Sequence, residues 1–301
     1  MILIGTLYPL PPYDFRKTLN AVNYHTVLDV VRDGEYWRAV RIDERLALVR
    51  VTGHGTVEQP ALRVYLVAAE AQPDPQVLLQ KVGHLLGITA DQRPFYALAR
   101  TDAALWNIVA PLYGLRHVRA ETLFEALMTT IVEQQISLRQ AQKGERWLVQ
   151  WAGSGLDYNG ETFYTFPRPS QLAAATLETL TPLKITFRRM QVMMDIARQE
   201  TEGTLNLDAL QNCPPEQVYT ALTGIKGIGG WTAGWAVIRA LGHYQYIGEN
   251  DVALQAAINH YFYGQPGKTT PQIVRETLGR YGAFNGAAAF YTLMRWATDR
   301  Y

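Results

Sequence analysis

The chain has 301 residues, of which 48% are hydrophobic and 18% charged, with a formal net charge of +1 at pH 7. This composition is typical of a globular protein and excludes a disordered chain, while the single cysteine, Cys213, excludes internal disulfides and thiolate-rich clusters. No apolar run reaches the roughly 18 to 20 residues of a membrane-spanning helix, and the N-terminus lacks the features of a signal peptide, so a cytoplasmic protein is expected.

The first 90 residues alternate apolar and polar side chains in the manner of β-strands. Polar turns such as "RDGE" and "TGHG" punctuate the alternation. One accompanying helix has Asp74 as its expected N-cap and Gly87 as its stop. The predicted elements, in chain order, are a helix over 14–22, strand-like stretches over 25–42, 44–55 and 61–70, and a helix over 74–87. The region is therefore predicted to be a small α/β sheet unit.

Beyond about residue 91, apolar residues recur every three to four positions, which predicts helices almost throughout. The predicted helices lie over 102–114, 120–137, 137–153, 187–199, 214–224, 230–242, 251–264, 270–282 and 286–301. The helix-poor stretch over 153–170 is predicted to be a surface loop.

The stretch "ALTGIKGIGGWTAGWAV", residues 221–237, places four glycines between two of these helices. Only "IKGIG" is left to form a tight hairpin, in which free amides at the start of the second helix suit a phosphate. Carbonyl groups of the same hairpin suit a monovalent cation, Na⁺ or K⁺. The amides are those of Gly227, Ile228, Gly229, Gly230, Trp231 and Thr232, and the carbonyls are those of Thr223, Ile225 and Ile228. A turn that merely joins two core helices fits the same pattern.

Several motifs together resemble a known family. "LTGIKGIGGWTA", followed about twenty residues later by "IGENDVAL", is similar to the helix-hairpin-helix and aspartate of the DNA glycosylase superfamily. "PPYDF" (11–15), "IVEQQIS" (131–137) and "FPRPSQLAAAT" (166–176) resemble the bacterial 3-methyladenine DNA glycosylase II family. The resemblance covers most of the chain and is weakest over about 25–115 and 152–164.

This resemblance implies a mainly α protein with an α+β N-terminal part. A β/α unit similar to half of the TATA-binding-protein fold would occupy 1–90, and an all-helical glycosylase core of two lobes would occupy 91–301. The helix-hairpin-helix would lie at about 215–241, and the substrate cleft would open between the two lobes.

Asp251 occupies the position of the family's catalytic aspartate. Cleavage of an N-glycosidic bond gives the deoxyribose oxocarbenium character, which a fixed carboxylate stabilises. Because Asp251 precedes "VALQAAINHYF", it is expected at a helix N-terminus, where the dipole favours negative charge. A plain N-cap is the alternative role, and the two roles can coexist. The nearby Glu249 is interpreted as a surface loop residue.

By the same resemblance, the side chain that fills the gap left by an extruded base is Gln135, with Gln134 beside it. The alternative for these glutamines is a capped or solvated helix end. Glu133 precedes them where relatives often carry glycine, and an acid that faces DNA is unfavourable unless it points away.

Alkylated purines are electron-poor, so an aromatic pocket attracts them by stacking and cation–π contact. Trp231 and Trp235 stand four apart on one predicted helix and match positions that line the family's pocket; the alternative is a pair of core aromatics. Tyr291 and Trp296 on the last helix are further candidates, and Leu293 stands where some relatives have tryptophan.

The resemblance implies a bacterial, monofunctional DNA glycosylase that removes alkylated purines of the 3-methyladenine type in base excision repair. Superfamily members with lyase activity carry a lysine just after the hairpin, where this chain has Trp231, while Lys226 inside the hairpin is expected to face a phosphate. The implied partner is double-stranded DNA with a damaged base, with no required cofactor and a monomeric enzyme. A glycosylase for deaminated or oxidised purines and a non-catalytic protein that binds damaged DNA are the alternatives.

Overall fold

The structure is a computed structural model that describes residues 1–22 and 27–300. Its strands are β1 (Ile2–Leu7), β2 (Val30–Arg32), β3 (Glu35–Ile42), β4 (Arg45–Gly55), β5 (Pro60–Ala69), β6 (Gly155–Tyr158) and β7 (Glu161–Tyr164). Its helices are α1 (Phe15–Val22), α2 (Pro75–Leu85), α3 (Arg93–Ala99), α4 (Ala103–Val109), α5 (Leu123–Glu133), α6 (Leu138–Ala152), α7 (Pro169–Ala173), α8 (Phe187–Glu202), α9 (Leu207–Gln211), α10 (Pro215–Thr223), α11 (Gly230–Leu241), α12 (Val252–Tyr263), α13 (Pro271–Gly279) and α14 (Asn285–Thr298). None of the described helices is long and apolar enough to cross a membrane.

The N-terminal part is a five-stranded antiparallel sheet in the order β1-β5-β4-β3-β2. Since side chains alternate between the two faces of a strand, Val49 and Val51 share one face and pack in a core with Leu19 of α1 and Val82 of α2. The opposite face, which carries Leu48, is covered by the hairpin β6–β7. The predicted mainly α fold with a small N-terminal sheet is confirmed.

Two apolar cores organise the helices. The first contains residues of α5, α6, α8, α10 and α11, and the second contains residues of α3, α4, α11, α12, α13 and α14. Helix α11 belongs to both, because Ala233 and Ala236 pack in the first core while Trp235 and Ile238 pack in the second. The hairpin at the start of α11 therefore lies where the two cores meet.

A buried ion cluster joins the sheet to the first helical core. Arg38 of β3 is fully buried, and its guanidinium pairs with Asp29 at 3.0 Å. It also donates to both carboxylate oxygens of Glu125 of α5, at 2.9 and 3.0 Å. The sheet is thus anchored to α5, the helix that leads to the two candidate wedge glutamines.

The stretch over 153–170 was wrongly predicted to be a surface loop. It forms the hairpin β6–β7, in which Asn159 and Gly160 have φ of 51° and 79°, and Phe163 is buried against Trp37 of β3. Four-residue strands give too few alternations to stand out from a loop pattern. Strand β1 and helices α3, α7 and α9 were not predicted either, and the first two residues of the stretch 25–42 lie outside the described residues.

Candidate active site

A cleft of about 850 Å³ opens at the start of α11, a volume within the usual range of ligand-binding sites. Its walls come from the α5–α6 connection, the first turn of α11 and the segment that leads into α12. The predicted site residues that line it are Gln134, Gln135, Gly229, Gly230, Trp231, Thr232 and Asp251. The fold therefore brings the predicted wedge, the α11 end of the hairpin and the aspartate to one cleft. The other predicted hairpin residues, Thr223, Ile225, Gly227 and Ile228, are not among the residues that line it.

Asp251 is the N-cap of α12, and both of its carboxylate oxygens are held by neutral donors. Its Oδ1 accepts a hydrogen bond from the amide of Leu254 at 2.8 Å, and its Oδ2 accepts one from Nε1 of Trp231 at 2.8 Å. The first bond caps the helix, and the second fixes the carboxylate to the hairpin helix. Each oxygen keeps a further lone pair that can face a positive centre in the cleft.

Two other acids line the cleft, and both are neutralised by arginines. Glu249 pairs with Arg275, and that hydrogen bond holds the pKa of Glu249 below its ordinary value. Glu249 lies in the turn before α12 with 18% of its side chain exposed, so it is a partly exposed loop residue whose carboxylate is paired. Glu133 pairs with Arg239 at 2.5 Å. Among the described residues that line the cleft, Asp251 is the carboxylate with no cationic partner.

The hairpin between α10 and α11 uses its glycines in different ways. Only Gly227 of the four has a positive φ, 95°, and a Cβ there would lie 2.6 Å from Cγ2 of Val192. Within the part of the chain that the structure describes, a Cβ on Gly229 would meet no atom within 4 Å, and no side chain caps the start of α11. Since Ile228 is buried, it anchors the hairpin. The amides of the first turn of α11 are thus free of side-chain caps.

The two candidate wedge glutamines differ in their surroundings. Nε2 of Gln134 donates to Oγ1 of Thr232 at 2.6 Å, and the carbonyl of Gln134 accepts from the guanidinium of Arg189. Gln135 is exposed and has a φ of 52°, a left-handed conformation that costs a non-glycine residue about 1–2 kcal/mol. Gln134 therefore holds the loop between α5 and α6 in place through its hydrogen bonds, and Gln135 is the exposed residue of that loop.

The structure brings only one member of the predicted aromatic pocket to the cleft. Trp231 lines it, whereas Trp235 is 7% exposed and packs behind Trp231 with ring centroids 6.3 Å apart. Tyr291 is fully buried, and its hydroxyl donates to the carbonyl of Leu115 at 3.0 Å. Leu293 is buried in the same core. Trp235, Tyr291 and Leu293 are thus core residues, because their helix faces pack against other helices.

The sequence interpretation missed two tyrosines of the cleft wall. Tyr219 of α10 lies beside the hairpin, and Tyr246 lies in the segment before Asp251. Burial raises the pKa of Tyr246 to about 12, and its hydroxyl donates to Glu249 at 3.3 Å. The sequence signal for Tyr246 was its place in "GHYQYIGEND", the aromatic stretch directly before Asp251. Trp296, the other aromatic candidate, packs against His260 and Tyr261 rather than lining the cleft.

No family model matches the chain, but individual relatives and solved structures are similar to it. The DNA-3-methyladenine glycosylase of Bacillus subtilis (strain 168) is 32% identical over 151 residues, 50% of either chain. DNA-3-methyladenine glycosylase 2 of Escherichia coli (strain K12) is 28% identical over 236 residues, 78% of this chain and 79% of the relative. A solved 3-methyladenine DNA-glycosylase from Archaeoglobus fulgidus matches with a TM-score of 0.80 and 24% identity over 98% of both chains.

Helices α10 and α11 form a hairpin that opens on the cleft, and Asp251 lies in this cleft at the start of α12. This arrangement is that of the helix-hairpin-helix DNA glycosylase fold. The chain is similar in sequence to DNA-3-methyladenine glycosylases and shares the fold of a solved one. The match to the B. subtilis relative spans half the length of that protein, so activity, substrate and partners remain proposals.

Proposed function

We propose that this protein is a DNA glycosylase that hydrolyses the N-glycosidic bond of alkylated purines, of the 3-methyladenine type, in double-stranded DNA. Asp251 carries the proposal, because it is fixed in the cleft by two neutral donors and has no cationic partner among the described residues. Positive charge develops on the deoxyribose as the bond breaks, and a preorganised carboxylate beside it lowers the barrier.

Each residue of the proposed site has a part in this reaction. The amides at the start of α11 hold a phosphate of the duplex, and Gln135 fills the space of the extruded nucleotide. Trp231 offers its ring to the electron-poor base while its indole N–H orients Asp251. Water then adds to the anomeric carbon of the deoxyribose and loses a proton, which Asp251 accepts as the general base.

We also propose that the reaction ends with hydrolysis. Lyase chemistry needs an amine that attacks the sugar. No lysine is among the described residues that line the cleft, and Lys226 is exposed on the hairpin. Trp231 occupies the position at which superfamily lyases carry their lysine, so an abasic site is the expected product.

A duplex with a single alkylated purine is expected to lose the free base and to keep an intact strand until alkali is added. Chromatography of the released base and a denaturing gel with and without alkali measure both outcomes. Strand cleavage without alkali, or a covalent adduct after borohydride treatment, would contradict hydrolysis. If free base is released only from duplexes with deaminated or oxidised purines, the protein is a glycosylase for those lesions instead. If it binds damaged duplexes but releases no base from any of them, it is a non-catalytic DNA-binding protein.

Gly229→Ala is expected to weaken duplex binding about tenfold with little change in stability. The φ of Gly229, −93°, is open to any residue, and an added Cβ would meet no atom of the described residues within 4 Å. The methyl group therefore obstructs only an approaching phosphate. Fluorescence anisotropy across a salt series measures the change, and the slope of log K against log salt should fall by about one.

Gly227→Ala is the contrasting variant. It should lower both binding and the melting temperature, because the positive φ and the contact with Val192 exclude a side chain. Wild-type affinity of Gly229→Ala at every salt concentration would contradict the phosphate contact.

The proposal also includes a monovalent cation at the hairpin carbonyls and duplex DNA as the binding partner. The carbonyl of Ile225 already accepts a hydrogen bond from the amide of Ile228 at 3.0 Å, but a second lone pair remains for Na⁺ or K⁺ together with the carbonyls of Thr223 and Ile228. No group of three metal-ligating acids, histidines or cysteines occurs within 1–22 and 27–300. The proposed partner is duplex DNA with a damaged base, bound by a single copy of the chain.

A further inference from the structure

Three ionisable side chains meet beneath the loop that carries Gln135. Glu145 of α6 is 2% exposed, and its carboxyl lies within hydrogen-bonding reach of Glu133 at the end of α5. Glu133 accepts from Arg239 of α11 at 2.5 Å, and Arg239 also donates to Oγ1 of Thr130 at 3.2 Å. The proposed chemistry uses none of these groups.

In this cluster the guanidinium of Arg239 pairs with Glu133, and it acts on the nearby Glu145 only through its charge. Burial, and then the negative charge of Glu133, raise the pKa of Glu145 well above its ordinary value. The other charged groups that face it are Arg239 of α11 and Glu125 of α5, and Glu125 is already paired with Arg38. Of the two carboxyl groups, Glu145 is therefore the one that keeps its proton to higher pH, and it is the donor in its hydrogen bond with Glu133.

The remaining surroundings of Glu145 also favour a neutral group. The turn over 181–183 packs against α6 at Gly144, the residue before Glu145, and leaves little room for water there. Oε1 of Glu145 is buried and has no hydrogen-bond partner in the described structure. An unpartnered oxygen costs far less on a neutral carboxyl than on a carboxylate.

The cluster acts on the segment from which the wedge projects. Glu133 is two residues before Gln135, and Gln134 between them is held by Thr232 and Arg189. Gln135 keeps its left-handed conformation only while these neighbours are fixed. Glu133 thus provides one attachment of the loop, and Gln134 provides the other.

We propose that Glu145 is a positioning residue, which donates a hydrogen bond to Glu133 as a neutral acid and thereby fixes the end of α5 from which Gln135 enters the DNA. The inference rests on the proposed glycosylase function. Ionisation of Glu145 would leave a buried carboxylate beside the carboxylate of Glu133, with one arginine for both charges, next to a surface that binds a polyanion. Their repulsion would displace the end of α5, so excision should fall at alkaline pH.

Single-turnover excision by Glu145→Gln and Glu145→Met tests the inference over a pH series. The glutamine keeps a donor and cannot ionise, whereas methionine has a similar size and no donor. Glu145→Gln should match the wild-type rate near neutral pH and lack the wild-type alkaline decline, which approaches tenfold per pH unit. Glu145→Met should be about tenfold slower than the wild type near neutral pH. Glu202→Gln, at an exposed carboxyl at the end of α8, is the matched control and should behave as the wild type.

A second readout separates positioning from folding and from catalysis. Fluorescence of 2-aminopurine next to an abasic analogue in a bound duplex reports wedge insertion, and it should fall with pH for the wild type but not for Glu145→Gln. The raised pKa also means that the contribution of Glu145 to wild-type stability is complete below its unfolded pKa and is lost as pH rises through its folded pKa.

Identical pH profiles for the wild type and Glu145→Gln, or full activity and normal insertion for Glu145→Met, would overturn the inference. Failure of the wild type to release any base would count against the proposed function instead. The fluorescence assay would then still test the role of Glu145 in binding.

Discussion

Asp251→Asn is expected to lower the single-turnover excision rate by roughly a hundredfold to ten-thousandfold while duplex binding is retained. The substitution removes the negative charge that offsets the developing charge on the sugar. The asparagine side chain has a single carbonyl oxygen, which can accept a hydrogen bond from Leu254 or from Trp231 but not from both. The free energy of unfolding is therefore also expected to fall by about 1 kcal/mol. Rates are measured with enzyme in excess over a duplex with one alkylated purine.

Glu249→Gln is the matched control for Asp251→Asn. It removes a carboxylate from the same cleft, but one that is neutralised by Arg275, so its rate should stay within about threefold of the wild type. Full excision by Asp251→Asn, or an equal loss in both variants, would remove Asp251 from the catalytic role and leave it as a helix cap.

Arg38→Met is expected to lower the free energy of unfolding by about 3–5 kcal/mol at neutral pH. The substitution leaves the carboxylates of Asp29 and Glu125 buried without their guanidinium, since their side chains are 2% and 6% exposed. Urea unfolding followed by circular dichroism measures the change. Because Glu125 belongs to α5, weaker wedge insertion should accompany the loss of stability.

Arg50→Met provides the comparison on the same sheet. Its ion pair with Glu35 is partly exposed, with side chains 23% and 22% accessible, so the expected change is about 1 kcal/mol or less. If Arg38→Met and Arg50→Met lower the free energy of unfolding equally, the buried ion cluster around Arg38 stabilises the protein no more than an exposed ion pair does.

The hairpin and the aspartate could be predicted because their signals are local. Glycines at fixed positions allow a tight turn, and an acid directly ahead of an amphipathic stretch caps a helix whatever surrounds it. The structure places Gly229 and Asp251 in the same cleft. Helix and strand periodicity likewise indicated most of the long elements.

Side-chain partners across the fold could not be predicted, because they depend on which helix face meets which neighbour. Trp231 and Trp235 share one helix face in sequence, yet only Trp231 lines the cleft. Tyr291 is buried because α14 is packed on most of its surface. The pairing of Glu133 with Arg239 joins residues far apart in the chain, and no periodicity reports it.

Release of free base from a duplex with one alkylated purine, measured by chromatography for the wild-type protein, is the most direct test of the proposed function. We predict free 3-methyladenine or 7-methylguanine in step with alkali-labile abasic sites. Tight duplex binding with no base released, under conditions in which the protein is folded, would contradict a glycosylase and leave a protein that only recognises damaged DNA.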